Sequence, residues 1–148
     1  MSFTSAHTYI DAPSLAERIQ AGDVSEKKLA VVDVRDDDFE GGAIAGARNV
    51  PSATLPDNLD SLVKDLAGVP KVVFHCHLSQ QRGPKAARLY TEARNHAIET
   101  GAIDPKTESG SPQQVVVLRD GAAGFVRQYK DDKSLVENYD ARSWEHRE

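Results

Sequence analysis

Three short runs of consecutive apolar residues stand out along the chain: Leu29-Ala30-Val31-Val32, Val72-Val73-Phe74 and Val115-Val116-Val117-Leu118. Runs of this length, rich in β-branched residues and closed by polar ones, predict strands buried on both faces of a parallel sheet. Between them the apolar positions change period. Leu15 and Ile19 lie four apart after Asp11, Pro13 and Ser14, and the pattern runs out at Gly22, which predicts a short amphipathic helix. Leu55, Leu59, Leu62, Val63 and Leu66 repeat at helical spacing until Gly68 and Pro70 stop them. A further helix is predicted from Arg82 to about Ala97, with Ala86, Leu89, Tyr90 and Ala93 on one side.

The remaining segments read as connections. Gly41 to Pro51 carries three glycines in its first six positions, which predicts loop, brief strand, loop. Glu99 to Gln113 turns polar, with Gly101, Pro105, Gly110 and Pro112, and is expected to be an exposed, mobile loop. Gly121 to Gly124 is expected to be a turn, with a helix opening at Phe125, Val126 and Tyr129, and Trp144 is expected to anchor the tail. Strands alternating with helices predict an α/β fold with a parallel sheet covered on both faces. A length of 148 residues with 39% hydrophobic content suits one core, so residues 1–148 are read as a single domain.

Charge and leader features narrow the class. Eighteen Lys and Arg against 23 Asp and Glu give a net charge of -5, the opposite of a phosphate-backbone binder, so no nucleic-acid partner is expected. No stretch approaches the ~18 apolar residues of a membrane helix, and the start of the chain lacks a basic segment followed by an apolar one. A protein not bound to membranes is expected, in the cytoplasm and also in the nucleus. Cys76 is the one cysteine. No internal disulfide can form, and any oxidation of Cys76 must be reversed by an outside thiol.

The chemistry concentrates after Phe74. Cys76 is followed by five residues and then Arg82, which opens a helix. This spacing sets a thiol at the carboxyl end of a parallel strand and beside a helix N-terminus, where ligands bind in open α/β sheets. Loop amides can converge there on a tetrahedral oxyanion, an arginine fork can bind two of its oxygens, and the same field favours the thiolate. A bare C-x5-R is a weak motif, but an apolar strand before it and Gly83-Pro84 at the helix start strengthen it.

The segment His-Cys-x5-Arg-Gly-Pro, with Val32-Asp33-Val34-Arg35 and the turn Gly41 to Ala47 upstream, resembles the rhodanese-fold phosphatases of the M-phase inducer type. It resembles still more closely their small fungal relatives, grouped as phosphatases or arsenate reductases, and the resemblance runs from about Tyr9 to Trp144. It implies a rhodanese-like three-layer domain with about five parallel strands flanked by helices. It also implies Cys76 as the nucleophile that forms a phosphocysteine, Arg82 as the holder of the phosphate, and the backbone of His77, Leu78, Ser79, Gln80 and Gln81 as further donors. The sulfurtransferases of this fold resemble one another in a shorter loop, so sulfur transfer is disfavoured. Where the M-phase inducer phosphatases carry acidic loop residues this chain has His77 and Gln81, and Ala43 replaces the usual histidine of the Gly-x-Ile turn. Histidine titrates near neutrality, which makes His77 the candidate acid, with a ring directed to solvent as the alternative.

Three functions follow as expectations. The first is a phosphatase acting on phosphate monoesters, with a phosphorylated protein as partner and no cofactor. The second is an arsenate reductase, taking a small arsenate oxyanion and drawing electrons from glutathione or glutaredoxin. The third is a non-catalytic module that binds phosphorylated or acidic partners. No metal site is expected, because His75, Cys76 and His77 alternate in direction along a strand and no second ligand pair stands at useful spacing. Asp33 and Arg35 read as a pair bracing neighbouring loops, and Asp36 to Asp38 as a solvated turn. Arg119 and Asp120 read either as pocket borders or as rim charges.

Overall fold

The structure, a computed structural model, describes residues 8–36 and 41–144. Five strands, β1 (Tyr9–Ile10), β2 (Leu29–Asp33), β4 (Arg48–Asn49), β5 (Lys71–His75) and β6 (Gln114–Leu118), form one sheet in the order β1-β6-β5-β2-β4. Every neighbouring pair is parallel, and the register sets Asp33 opposite His75 and Phe74 opposite Val117. The carboxyl ends of β2 and β5 therefore lie side by side. That adjacency positions the site.

Parallel pairing requires crossovers, and α1 (Ala12–Gln20), α2 (Leu55–Asp65) and α3 (Arg82–Glu99) lie on them, while α4 (Gly121–Tyr129) follows β6, the last strand of the sheet. Alternation along the strands divides the core in two. Leu29, Val31, Val73, Val116 and Leu118 pack on one face with Leu15 and Ala16 of α1 and Phe125 and Val126 of α4. Val32, Val72, Phe74 and Val117 pack on the other with Leu62 and Val63 of α2 and Ala86 and Tyr90 of α3. Burying a side chain of this size stabilises the fold by ~1.5–3 kcal/mol. The three-layer α/β architecture and the five parallel strands agree with the sequence-based expectation.

Several elements depart from it. The edge strand β1 and a two-stranded antiparallel ribbon of β3 (Ala43–Ile44) and β7 (Val136–Glu137) are too short to show a period, and tertiary pairing alone creates them. The expected single brief strand after Gly41 is two, β3 and β4. The segment Glu99 to Gln113 is tied down: the Thr107 amide donates to Ser111 O at 2.8 Å, the Glu108 amide donates to Gly68 O at 3.0 Å, and Thr107 is buried. Most of the segment is exposed, as expected, while its polar residues bond to one another and to neighbouring loops. The tail enters a 3-10 turn at Ala141–Trp144. The side chain of Trp144, like Asp37 and Asp38, lies outside what is described.

Candidate active site

Strand β5 ends at His75, and the chain then leaves the sheet as a loop that carries Cys76 and closes at α3. Cys76 is 3% exposed, and the Ser79 amide donates to its Sγ at 3.2 Å. Ser79 reaches this position with φ +57°, a left-handed conformation that turns the loop back toward the helix. The first turn of α3 sits directly on the loop's start. A Cβ on Gly83 would lie in van der Waals contact, 3.4 Å from both Cys76 N and His75 Cα and 3.5 Å from Ser79 Oγ, so the helix packs directly on the loop's backbone. Ser79 Oγ itself is buried with no hydrogen-bond partner among the described residues.

The opposite rim is held by α4. Its Ala122 amide donates to Cys76 O at 2.9 Å and its Ala123 amide to His77 O at 2.8 Å. Two of the orphan donors of a helix N-terminus thus face the loop's carbonyls. The close approach requires Gly121: at φ +59°, a Cβ there would stand 2.5 Å from His77 O and 2.6 Å from Cys76 O. This overturns the expected turn at Gly121 to Gly124. Those residues form the first turn of α4, because a helix start built of Gly and Ala is narrow enough to dock its amides on the loop.

Beneath the loop lies a buried polar cluster. His75 Nδ1 is 3.1 Å from Cys76 O, and a carbonyl only accepts, so Nδ1 carries the proton. Nε2, buried without a hydrogen bond among the described residues, lies 3.9 Å from Asp33 Oδ2. Desolvation pushes the His75 pKa down, against the opposing pull of Asp33, so the ring is neutral. Asp33 and Arg35 are both fully buried and joined by Arg35 Nη2 to Asp33 Oδ2 at 2.7 Å, and Arg35 also donates to Gly42 O at 2.9 Å. The pair braces the turn before β3.

Arg82 opens α3 with its side chain directed to the end of β2. Its Nη1 donates to Asp36 Oδ2 at 3.3 Å, while that carboxylate also accepts from Ser52 Oγ at 2.6 Å and from the Ala53 amide at 3.0 Å. The Ser52 hydroxyl bond is the main cause that holds the Asp36 carboxyl below the usual carboxylate range. Asp36 is therefore a fixed anchor rather than the solvated turn the sequence suggested.

Of the residues singled out in the sequence, Cys76 and Ser79 are in direct contact, His77 is half-buried, and Leu78, Gln80 and Gln81 are exposed. Arg119 lies 4.7 Å from the Tyr9 ring centroid, beside the edge strand, and Asp120 precedes α4 in a left-handed conformation. Sequence reasoning missed Ser52, the anchoring role of Asp36 and the docking of α4. The position of Asp36 just past a central strand was a usable signal for the first two. No sequence period marks α4 as a loop support.

Fold and site together define a class: a three-layer α/β protein whose thiol-bearing loop leaves the carboxyl edge of a parallel sheet and runs into a helix. Within that class the chain belongs to the rhodanese family, for residues 11–128 match the Rhodanese-like domain. It is 35% identical over 118 residues to the dual specificity phosphatase ibp1 of Schizosaccharomyces pombe, covering 76% of this chain and 86% of that protein. It is 32% identical over 119 residues to arsenate reductase 2.2 of Oryza sativa subsp. japonica, covering 80% of this chain and 81% of the other. Among solved structures it superimposes with a TM-score of 0.75 on Ygr203w, a yeast protein tyrosine phosphatase of the rhodanese family, at 30% identity. That match covers 97% of this chain and 99% of the yeast chain.

Proposed function

We propose that the protein is a cysteine-dependent phosphatase that hydrolyses phosphate monoesters of tyrosine or of mixed specificity through a phosphocysteine. The observation that carries this reading is the Cys76 thiol at the carboxyl edge of the sheet, with the Ser79 amide donating to its sulfur and α3 seated on the loop. An amide aimed at Sγ lies, once sulfur has bonded to phosphorus, close to the phosphoryl oxygens. Cys76 Sγ attacks phosphorus in line with the ester oxygen, the P–O bond breaks, and the leaving oxygen takes a proton, for which His77 is the nearest candidate in sequence. Arg82 and the amides of His77, Leu78, Ser79, Gln80 and Gln81 carry the charge on the phosphoryl oxygens. Water then cleaves the phosphocysteine. α4 supports this by drawing the carbonyls of Cys76 and His77 toward its own amides, which turns loop acceptors away from an anion.

The rice relative's name motivates a second reaction on the same loop, arsenate reduction, since arsenate has nearly the geometry of phosphate. With Cys76 the one cysteine, that reaction draws its electrons from glutathione or glutaredoxin. Hydrolysis of an aryl phosphate by wild type and Cys76→Ser, beside arsenate turnover with glutathione and glutaredoxin, separates the cases. We expect phosphate release that falls at least ~10³-fold in Cys76→Ser. Turnover of arsenate alone would replace the phosphatase reading with the reductase one, and activity at the Cys76→Ser background in both assays would leave a binding module recognising phosphorylated or acidic partners. We place the protein in the cytoplasm and nucleus, a proposal that imaging of the tagged full chain tests.

A further inference from the structure

The end of β2 lies beside the end of β5, and the Val34 amide donates to His75 O at 2.9 Å, so the residues that follow β2 run along the rim of the Cys76 loop. Asp36 is the first acidic side chain on that path. Its carboxylate is fixed from the far side before Arg82 is considered. Ser52 Oγ and the Ala53 amide hold its two oxygens just ahead of α2, and the Ser52 amide is itself tied to Val34 O at 3.1 Å. Asn49 Nδ2 donates to Asp33 O and Arg35 O, which fixes the backbone leading into Asp36. Arg82 Nη1 then meets a carboxylate that cannot follow it, with both side chains about one-third exposed. Arg82 also lines, with Ser52, Leu55 and Ala86, a cavity of about 130 Å³ between the starts of α2 and α3.

We propose that Asp36, anchored by Ser52 and the Ala53 amide, is the positioning residue that holds the Arg82 guanidinium in place to receive an oxyanion at the Cys76 loop. This rests on the oxyanion reading of that loop and adds to it which residue orients the arginine. A guanidinium is a rigid fork with donors on more than one edge. Engaging Nη1 with a fixed carboxylate restricts the long, flexible arginine stem, so less rotamer freedom remains to be lost when an anion binds. The carboxylate's own anchoring makes the effect depend on Ser52 as well, although Ser52 touches neither Arg82 nor the loop through any bond described above.

The test is protection of Cys76 from iodoacetamide by inorganic phosphate, which reads oxyanion binding without requiring turnover. Asp36→Asn is expected to raise the half-protecting phosphate concentration about fivefold, a value between those of an exposed ion pair and a buried charged hydrogen bond. Ser52→Ala should shift it in the same direction by less, and keeps the test alive if Asp36→Asn does not fold. Arg82→Ala should weaken protection at least as much, and adding Asp36→Asn to it should produce no further loss. Unchanged or tighter binding in Asp36→Asn and Ser52→Ala overturns the inference and leaves the oxyanion reading standing. An undiminished effect of Asp36→Asn in the Arg82→Ala background overturns it too, because Asp36 would then act on the loop as a whole. No phosphate protection in wild type would remove the oxyanion reading and this inference with it.

Discussion

A methyl group on Gly121 would collide with two backbone carbonyls of the catalytic-candidate loop, and it would have to do so from a left-handed φ. Backbone cannot yield as a flexible side chain does, so Gly121→Ala must move α4 away from Cys76 O and His77 O. Strain and the loss of two helix-end hydrogen bonds predict a destabilisation of ~2–4 kcal/mol, read by urea unfolding, together with a fall in Cys76-dependent turnover. Gly101 provides the control: its φ is +79°, but a Cβ there meets nothing within 4 Å. Gly101→Ala is expected to cost only the ~1 kcal/mol of the left-handed conformation and to leave turnover unchanged. Equal costs at the two sites would mean that conformation rather than contact sets the requirement at Gly121. The sequence shows both glycines alike, since nothing in their neighbours records what lies opposite in space.

The elements are held at the site end by buried polar bonds rather than by apolar packing alone. Asp33, the last residue of β2, accepts both Nε and Nη2 of Arg35, and Arg35 carries the turn before β3 through Gly42 O. Arg35→Met removes one member of a fully buried pair and leaves the Asp33 charge uncompensated, which predicts ~3–5 kcal/mol of lost stability. Asp33→Asn combined with Arg35→Met should recover part of that loss in the same unfolding measurement; a strictly additive double variant would show that the two side chains do not act as a pair. The bracing role expected of Asp33 and Arg35 was legible because both flank the end of a predicted central strand. Which turn they hold was not, since Gly42 is close to them only after the chain has folded back.

For the molecule as a whole, acid sensitivity follows from His75. Its pKa is lowered in the folded state by desolvation, so between that value and the ordinary ~6.5 the unfolded chain binds a proton that the native chain does not. Stability is thus complete above pH ~6.5 and declines as pH falls below it, with a slope approaching ~1.4 kcal/mol per pH unit from this residue. Asp36, lowered mainly by the Ser52 hydroxyl, loses its contribution in the same direction but only in the carboxylate range, below pH ~4. Thermal unfolding between pH 7.5 and 5 should show the decline in wild type and a shallower one in His75→Asn, where no ring titrates. Parallel slopes in the two proteins would assign the decline to other groups.

Period and composition by themselves determined the three long strands, the helices α1, α2 and α3, and the three-layer α/β architecture, because burial on both sheet faces writes continuous apolar runs and burial on one helix face writes a 3.6-residue repeat. They also marked the loop from Cys76 to Arg82, whose members are adjacent in sequence and follow a strand. Tertiary structure alone decided the rest. Strand pairs of two residues, the seat of α4 against Cys76 O and His77 O, and the fixing of Asp36 by Ser52 all join segments separated along the chain, and a contact between such segments leaves no periodic trace in either. Local order is written in local spacing, whereas the support of the site is a property of which distant segments the sheet brings to one edge.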